Sequence, residues 1–144
     1  MQSIRLLPLI ILFVLSYTNA PVNAQAIPES AIIPTLPSPN TFDHFELRQE
    51  WDTTERKITT HSKVAAQTFV AWLDRNNVFQ DGNTWRGSYA PVLVARVWLK
   101  GRKEPKYILV HWKWKDTRGK FHTLTHEDVD SLMNDIVKAS RQSE

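Results

Sequence analysis

The chain has 144 residues, is 42% hydrophobic and 23% charged, and carries a formal net charge of +3, which suits a small globular domain and is too polar for a membrane-embedded protein. It has no cysteine, and this excludes a disulfide scaffold, a zinc–thiolate site, an iron–sulfur cluster and a cysteine nucleophile. Four glycines leave no glycine-rich phosphate loop, while six tryptophans make so short a chain tryptophan-rich.

Residues Met1–Ala24 read as a secretory signal peptide. Arg5 is the only charge, Leu6–Tyr17 is the apolar stretch, and Val22-Asn23-Ala24 offers small residues at the positions that signal peptidase reads. Cleavage is expected between Ala24 and Gln25, because a cut after Ala20 would leave Pro21 at the new N-terminus. The apolar run is well short of the ~20 residues that span a bilayer, and Pro8 interrupts it. The expected location is therefore extracellular or periplasmic, with no stable membrane span once the leader is gone. Loss of Arg5 lowers the net charge by one, so the pI of 9.3 overstates the basic character and only its distribution matters.

Residues 25–40 (QAIPESAIIPTLPSPN) carry Pro28, Pro34, Pro37 and Pro39 and no glycine. Proline fixes its own φ and restricts the residue before it, so this stretch is expected to be an extended, poorly ordered linker. Pro34-x-x-Pro37 matches the spacing of a proline-recognition ligand, but a spacer accounts for the same residues.

A single α+β domain is expected over residues 41–144. His44–Trp51 alternates, with Phe45, Leu47 and Trp51 on one side and Glu46, Arg48 and Glu50 on the other, as in a strand. Asp52–Arg56 is polar and reads as a loop. Ser62–Asn76 has an apolar face of Ala65, Ala66, Phe69, Trp72 and Leu73 at helical spacing. Thr59, Thr60 or Ser62 can cap that helix, and Asn76-Asn77 suits a left-handed exit. Asp81-Gly82 marks a turn within Gln80–Asn83.

Val92–Leu99 and Tyr107–Lys115 alternate as strands. Leu93, Ala95, Val97 and Leu99, and likewise Ile108, Val110, Trp112 and Trp114, form the sets expected to face the core. The loop between them, Lys100–Lys106, holds four basic residues and one acid. Asp116-Thr117-Arg118-Gly119 is a hairpin turn leading to a third strand at Lys120–Leu124. Thr125 then caps a helix with Asp128 in a capping-box position, and Val129, Leu132, Met133, Ile136 and Val137 form its apolar stripe. The tail Ala139–Glu144 is expected to fray. The fold class is thus α+β: a small antiparallel sheet of three or four strands packed on two helices, in the order (β)-α-β-β-β-α.

One sheet face would be left outward. Counting back from the hairpin turn places Lys113 opposite His122 and His111 opposite Leu124. The expected partner-binding surface is Arg96, Trp98, Lys100, Arg102, Lys103, His111 and Lys113. Aromatic groups among Lys and Arg suit a protein hot spot or a polyanion; a segment laid across the face would instead bury Trp98. The expected partner is a protein or an anionic surface, with nucleic acid less favoured.

Catalytic constellations are sparse. His111 and His122 with Lys113 would make an acid–base pair beside a phosphate-holding cation, the arrangement of a nuclease-like hydrolase. His122-x-x-x-His126 crosses a strand end and a helix cap and brings no carboxylate, so no metal site is assigned. No GxSxG, HExxH or DxDxDG motif occurs, and no cofactor is expected. The leading reading is a small secreted, non-enzymatic binding protein; the secreted hydrolase is the alternative from another class.

Two resemblances bear on these readings. The order helix–three strands–helix over Ser62–Arg141 resembles the double-stranded RNA-binding fold. That family holds phosphates with a lysine-rich start of its second helix, whereas His126-Glu127-Asp128-Val129-Asp130 stands there in this chain and would repel them. Phe45-Glu46-Leu47-Arg48 and Thr53-Thr54-Glu55-Arg56, following a signal peptide, resemble the RxLR and EER motifs of host-targeted effectors. The leading Arg is absent and only Glu55-Arg56 of the second motif is present. The resemblance implies delivery into a host cell.

Overall fold

Period-two alternation builds one face of the molecule and period-3.6 spacing the other. The computed structural model describes residues 27–50, 56–79, 91–116 and 118–142. The leader, Trp51, the Asp52–Glu55 part of the expected loop, the Gln80–Asn83 turn and Thr117 lie outside the described residues. The elements are β1 (Phe42–Gln49), β2 (Arg56–Thr60), α1 (Lys63–Arg75), β3 (Leu93–Leu99), β4 (Lys106–Val110), β5 (Lys113–Lys115), β6 (Phe121–Thr123) and α2 (His126–Gln142). The fold is α+β: two helices and an antiparallel four-stranded sheet in the order β2-β1-β3-β4, with β5 and β6 forming a separate hairpin.

The inner face of the sheet carries Phe45, Leu47, Leu93, Ala95, Val97, Ile108 and Val110, all buried in one core with the apolar faces of both helices. Every residue of the expected α1 face is in that core, and so is the α2 stripe except Val137, which is partly exposed. Burial of this kind stabilises by roughly 25 cal/mol per Å² of apolar surface removed from water, and it holds together helices too short to persist alone.

Both helices begin and end as their end residues dictate. Ser62 Oγ accepts the Ala65 N–H at 3.0 Å and caps α1. At the other end Asn77 takes φ 55°. Its N–H reaches Asp74 O at 3.0 Å, while Val78 N–H reaches Leu73 O at 3.0 Å. These two bonds form a Schellman motif, closed by the fully buried Val78. At α2, Asp128 N donates to Thr125 Oγ1 at 3.2 Å and Thr125 N donates to Asp128 Oδ2 at 2.7 Å, a complete capping box. The α2 helix is tied to the edge strand by Arg56 Nη2 donating to Asn134 Oδ1 at 2.6 Å and by Ser140 Oγ donating to Thr60 Oγ1 at 2.9 Å.

The sheet departs from the sequence reading in four places. First, Arg56–Thr60 is a strand on the edge of β1, with Phe45 opposite Thr60 and Leu47 opposite Ile58; the polar-loop reading ended where this strand starts. Second, Tyr107–Lys115 is not one strand. Leu93 pairs with Val110, and Val92 N donates to Val110 O at 2.7 Å. Past that point β3 offers no further partner, so the chain leaves the sheet and pairs with β6. Third, the hairpin register is one residue off the expected count: Lys113 faces Thr123 and Trp114 faces His122. Fourth, the segment expected to run free as a linker is docked. Ile27 packs with Val94 and Leu109 on the outer face, flanked by Ala31, Ile32 and Tyr107. Ile32 bridges Tyr107, and Ile33 N donates to Tyr107 O at 2.8 Å. Outward apolar side chains on a sheet need cover, and Ile27, Ala31 and Ile32 provide it. The double-stranded RNA-binding topology is likewise not formed, since β1 sits inside the sheet and β5–β6 lie outside it. Among the described residues no helix is long and apolar enough to cross a membrane.

Candidate functional site

Half of the outer face is covered by residues 27–33 and half is open. The open half is a row of rings. The β1–β3 register sets His44 opposite Trp98 and Glu46 opposite Arg96. The His44 ring lies parallel to Trp98 at 4.4 Å and to His61 at 4.6 Å, with interplanar angles of 11° and 22°. The Arg96 guanidinium stands 5.0 Å from the Trp98 ring centre, a cation–π distance. Its Nη1 is 3.8 Å from Glu46 Oε1. The buried Arg96 Nε has no hydrogen-bond partner, so the guanidinium is not fully spent within the fold.

The expected surface residues divide into two groups. Arg96 and Trp98 are half-buried on this open face, and Lys100, Arg102 and Lys103 are exposed in the β3–β4 loop beside it. Gly101 takes φ 77° there, a conformation that lets Arg102 N close a turn onto Leu99 O at 3.1 Å. His111 and Lys113 are not on this surface. His111 is 8% exposed just past β4, because the strand ends there. Lys113 stands on β5 with its Nζ 4.5 Å from the Phe121 ring.

The two members of the expected acid–base pair differ in setting. His122 Nε2 donates to Asp116 Oδ2 at 2.9 Å, and its ring stacks on Trp114 at 5.5 Å. His111 is buried and His126 lies against Trp112 at 4.6 Å. His122 and His126 thus belong to different contacts. Asp116 is the hub of the hairpin turn: Oδ1 accepts from Arg118 N and Lys120 N, each at 2.9 Å. Its carboxyl is held below the usual range by the His122 hydrogen bond and then by these backbone donors. Gly119, at φ 82°, completes the turn.

The effector-like motifs are structural where they are described. Phe45-Glu46-Leu47-Arg48 is the middle of β1, with Phe45 and Leu47 in the core. Of the second motif, Arg56 begins β2 and the rest lies outside the described residues.

Two features were not singled out from the sequence. The first is the group Asp43, His44 and His61 beside the ring row. The second is the hairpin surface, where Phe121 is 57% exposed between Lys113 and Lys115. Sequence spacing does not reveal the first, because His44 and His61 meet only through the β1–β2 pairing. The second was visible as Lys and Phe alternating about a turn. No family model, no curated protein and no solved structure matches the chain.

Proposed function

We propose that the protein is a small exported, non-enzymatic binding protein that takes an anionic surface at the open end of its sheet. The observation that carries this reading is the Arg96–Trp98 pair, at cation–π distance and partly exposed, continued by the exposed cations Lys100, Arg102 and Lys103. Trp and Arg are the residues that most often dominate binding energy when a partner covers them. The loop cations supply long-range attraction, and the ring row supplies a flat contact already held in place by stacking. Glu46 takes up part of the Arg96 charge, so the loop carries most of the salt dependence. Export rests on Arg5, the Leu6–Tyr17 stretch and Val22-Asn23-Ala24.

Retention of the full chain on a heparin column, a model polyanion, tests the binding half. The triple variant Lys100→Glu, Arg102→Glu and Lys103→Glu is expected to elute at clearly lower salt, while reversal of Lys57, Lys120 and Lys138 changes elution less. Equal loss from both sets would mean that net charge alone drives retention and that this face is not the site. Mass spectrometry of protein recovered outside the producing cell is expected to show an N-terminus at Gln25; an intact Met1 form held in membranes would overturn export.

A further inference from the structure

We propose that Asp43, His44 and His61 form a binding site for a divalent transition metal ion of the zinc class. The three residues each offer a ligand atom, and these atoms lie within 4.8 Å of one another. They line a cleft of about 160 Å³ together with Asn40, Thr60 and Lys100. A water takes up about 30 Å³ of liquid volume, so the cleft holds an ion and the waters that complete its shell.

The fold assembles this group in two steps. Neighbouring residues of a strand normally point to opposite faces. The β1 strand is irregular between Phe42 and His44: Phe42 pairs with Leu99 and His44 with Trp98, so two steps on β1 match one on β3. The consequence is visible in burial, since Phe42 and Phe45 are both in the core although they stand three positions apart. Asp43 is the extra residue of this bulge, and it turns to the same side as His44. Bulges re-aim side chains in this way and recur beside functional sites. The second step is the β1–β2 pairing. Phe45 faces Thr60, which brings His61, one residue beyond the strand, next to His44.

The donors are gathered before any ion arrives. The His44 ring is held between His61 and Trp98, stacked on both. Its Nδ1 donates to Asp43 Oδ2 at 2.6 Å. An ion ligated by both residues would take the place of that proton, with Nδ1 of His44 and the Asp43 carboxylate as its donors. Two imidazoles and one carboxylate form the nitrogen–oxygen set that zinc and its neighbours accept with an open position. Lys63 and Lys100 also line the cleft. Their charge lowers affinity for the bare ion and favours an anion or hydroxide in its open position. Among the described residues no other group of three such side chains converges, and the chain has no thiolate to compete.

The inference does not rest on the anionic-partner reading, and its test uses the metal alone. Titration of the full chain with zinc chloride by calorimetry near neutral pH is expected to show one saturable site. His61→Ala and His44→Ala are expected to weaken it at least about tenfold, and Asp43→Asn to weaken it less. His126→Ala, away from the cleft, is expected to leave it unchanged. His61 is exposed and outside the strands, so its variant keeps the fold; a Trp98-dependent fluorescence quench by Cu²⁺, lost in Trp98→Phe, gives a second readout at the ring stacked on His44. Absence of saturable binding, or equal affinity in wild type and His61→Ala, would overturn the site.

Discussion

The four-stranded sheet and the β5–β6 hairpin are both antiparallel and both carry tryptophan beside cations, yet they use them in opposite senses. On the sheet, aliphatic side chains of β3 and β4 face the core, and Trp98 is left on the outside against His44 and Arg96. On the hairpin, Trp114 enters the core, 3% exposed, while Lys113 and Lys115 stay outside over Phe121. Strand length explains the difference. A seven-residue strand such as β3 spreads its burial over several inward positions. A three-residue strand such as β5 has a single inward position, so one large side chain must anchor it. Attachment of the hairpin is therefore concentrated where attachment of the sheet is distributed.

The largest test of this contrast is Trp114→Ala. It is expected to cost about 3–5 kcal/mol in chemical denaturation, against about 0.5–1.5 kcal/mol for Ile108→Val on the sheet. A Trp114→Ala variant that unfolds like the parent would show that the hairpin is an appendage and not part of the core.

A smaller effect is expected at the joint between hairpin and helix. Thr125 follows β6 and closes the α2 capping box. Thr125→Ala is expected to cost about 1 kcal/mol. Hydrogen exchange is expected to quicken at the start of α2 and in β6 before it does so in β1 and β3. Uniform quickening would remove the distinction between the two regions.

Acid acts on both regions through one aspartate each. Asp116 on the hairpin and Asp43 on the sheet are held below the ordinary carboxylate range, first by hydrogen bonds from His122 and His44 respectively. A folded-state pKa below the unfolded value contributes stability that is present above that value, 3.8 for aspartate, and is lost as pH falls through the folded pKa. Urea midpoints are expected to drop on acidification below pH 4 or so. Asp116→Asn is expected to flatten that drop more than Asp43→Asn, because Asp116 also accepts two backbone N–H groups. Glu50 acts in the opposite sense. Burial pushes its carboxyl up, so its ionisation disfavours the fold and mild acid relieves that cost. Identical acid limbs in the wild type and both Asn variants would refute this assignment.

The smallest expected effect on stability belongs to the loop. Reversal of Lys100, Arg102 and Lys103 is expected to move the unfolding free energy by no more than about 0.5 kcal/mol, although it weakens polyanion retention. A large loss of stability would place those cations inside the sheet's support rather than on a binding surface.

Recognition of elements from the chain succeeded where signals were local. Ser62, Asn77 and the Thr125–Asp128 pair each act within a few residues, and both helices start and stop beside them. Recognition failed at β2, where only Ile58 and Thr60 point inward; so short a pattern becomes a strand because the β1 edge is there to pair with it. It also failed at the β4–β5 break. Alternation runs unbroken from Tyr107 to Lys115 and contains neither Gly nor Pro, so nothing local marks the point where one partner strand ends. Of the candidate surface, Arg96, Trp98 and the loop cations could be read from alternation and charge. The displacement of His111 and Lys113 could not, since it follows from that break.

The sequence by itself determined the fold class, the absence of thiol chemistry, the two helices with their caps, and which side chains of β3 and β4 turn inward. These depend on periodicity and on contacts within a few residues. Tertiary structure alone decided which strands are neighbours, where the long strand divides, which half of the outer face residues 27–33 cover, and that Asp43, His44 and His61 meet. Such matters depend on pairing between segments far apart in the chain. A bulge of one residue or a register step of one is invisible to local composition, yet it moves a side chain to the other face of the sheet.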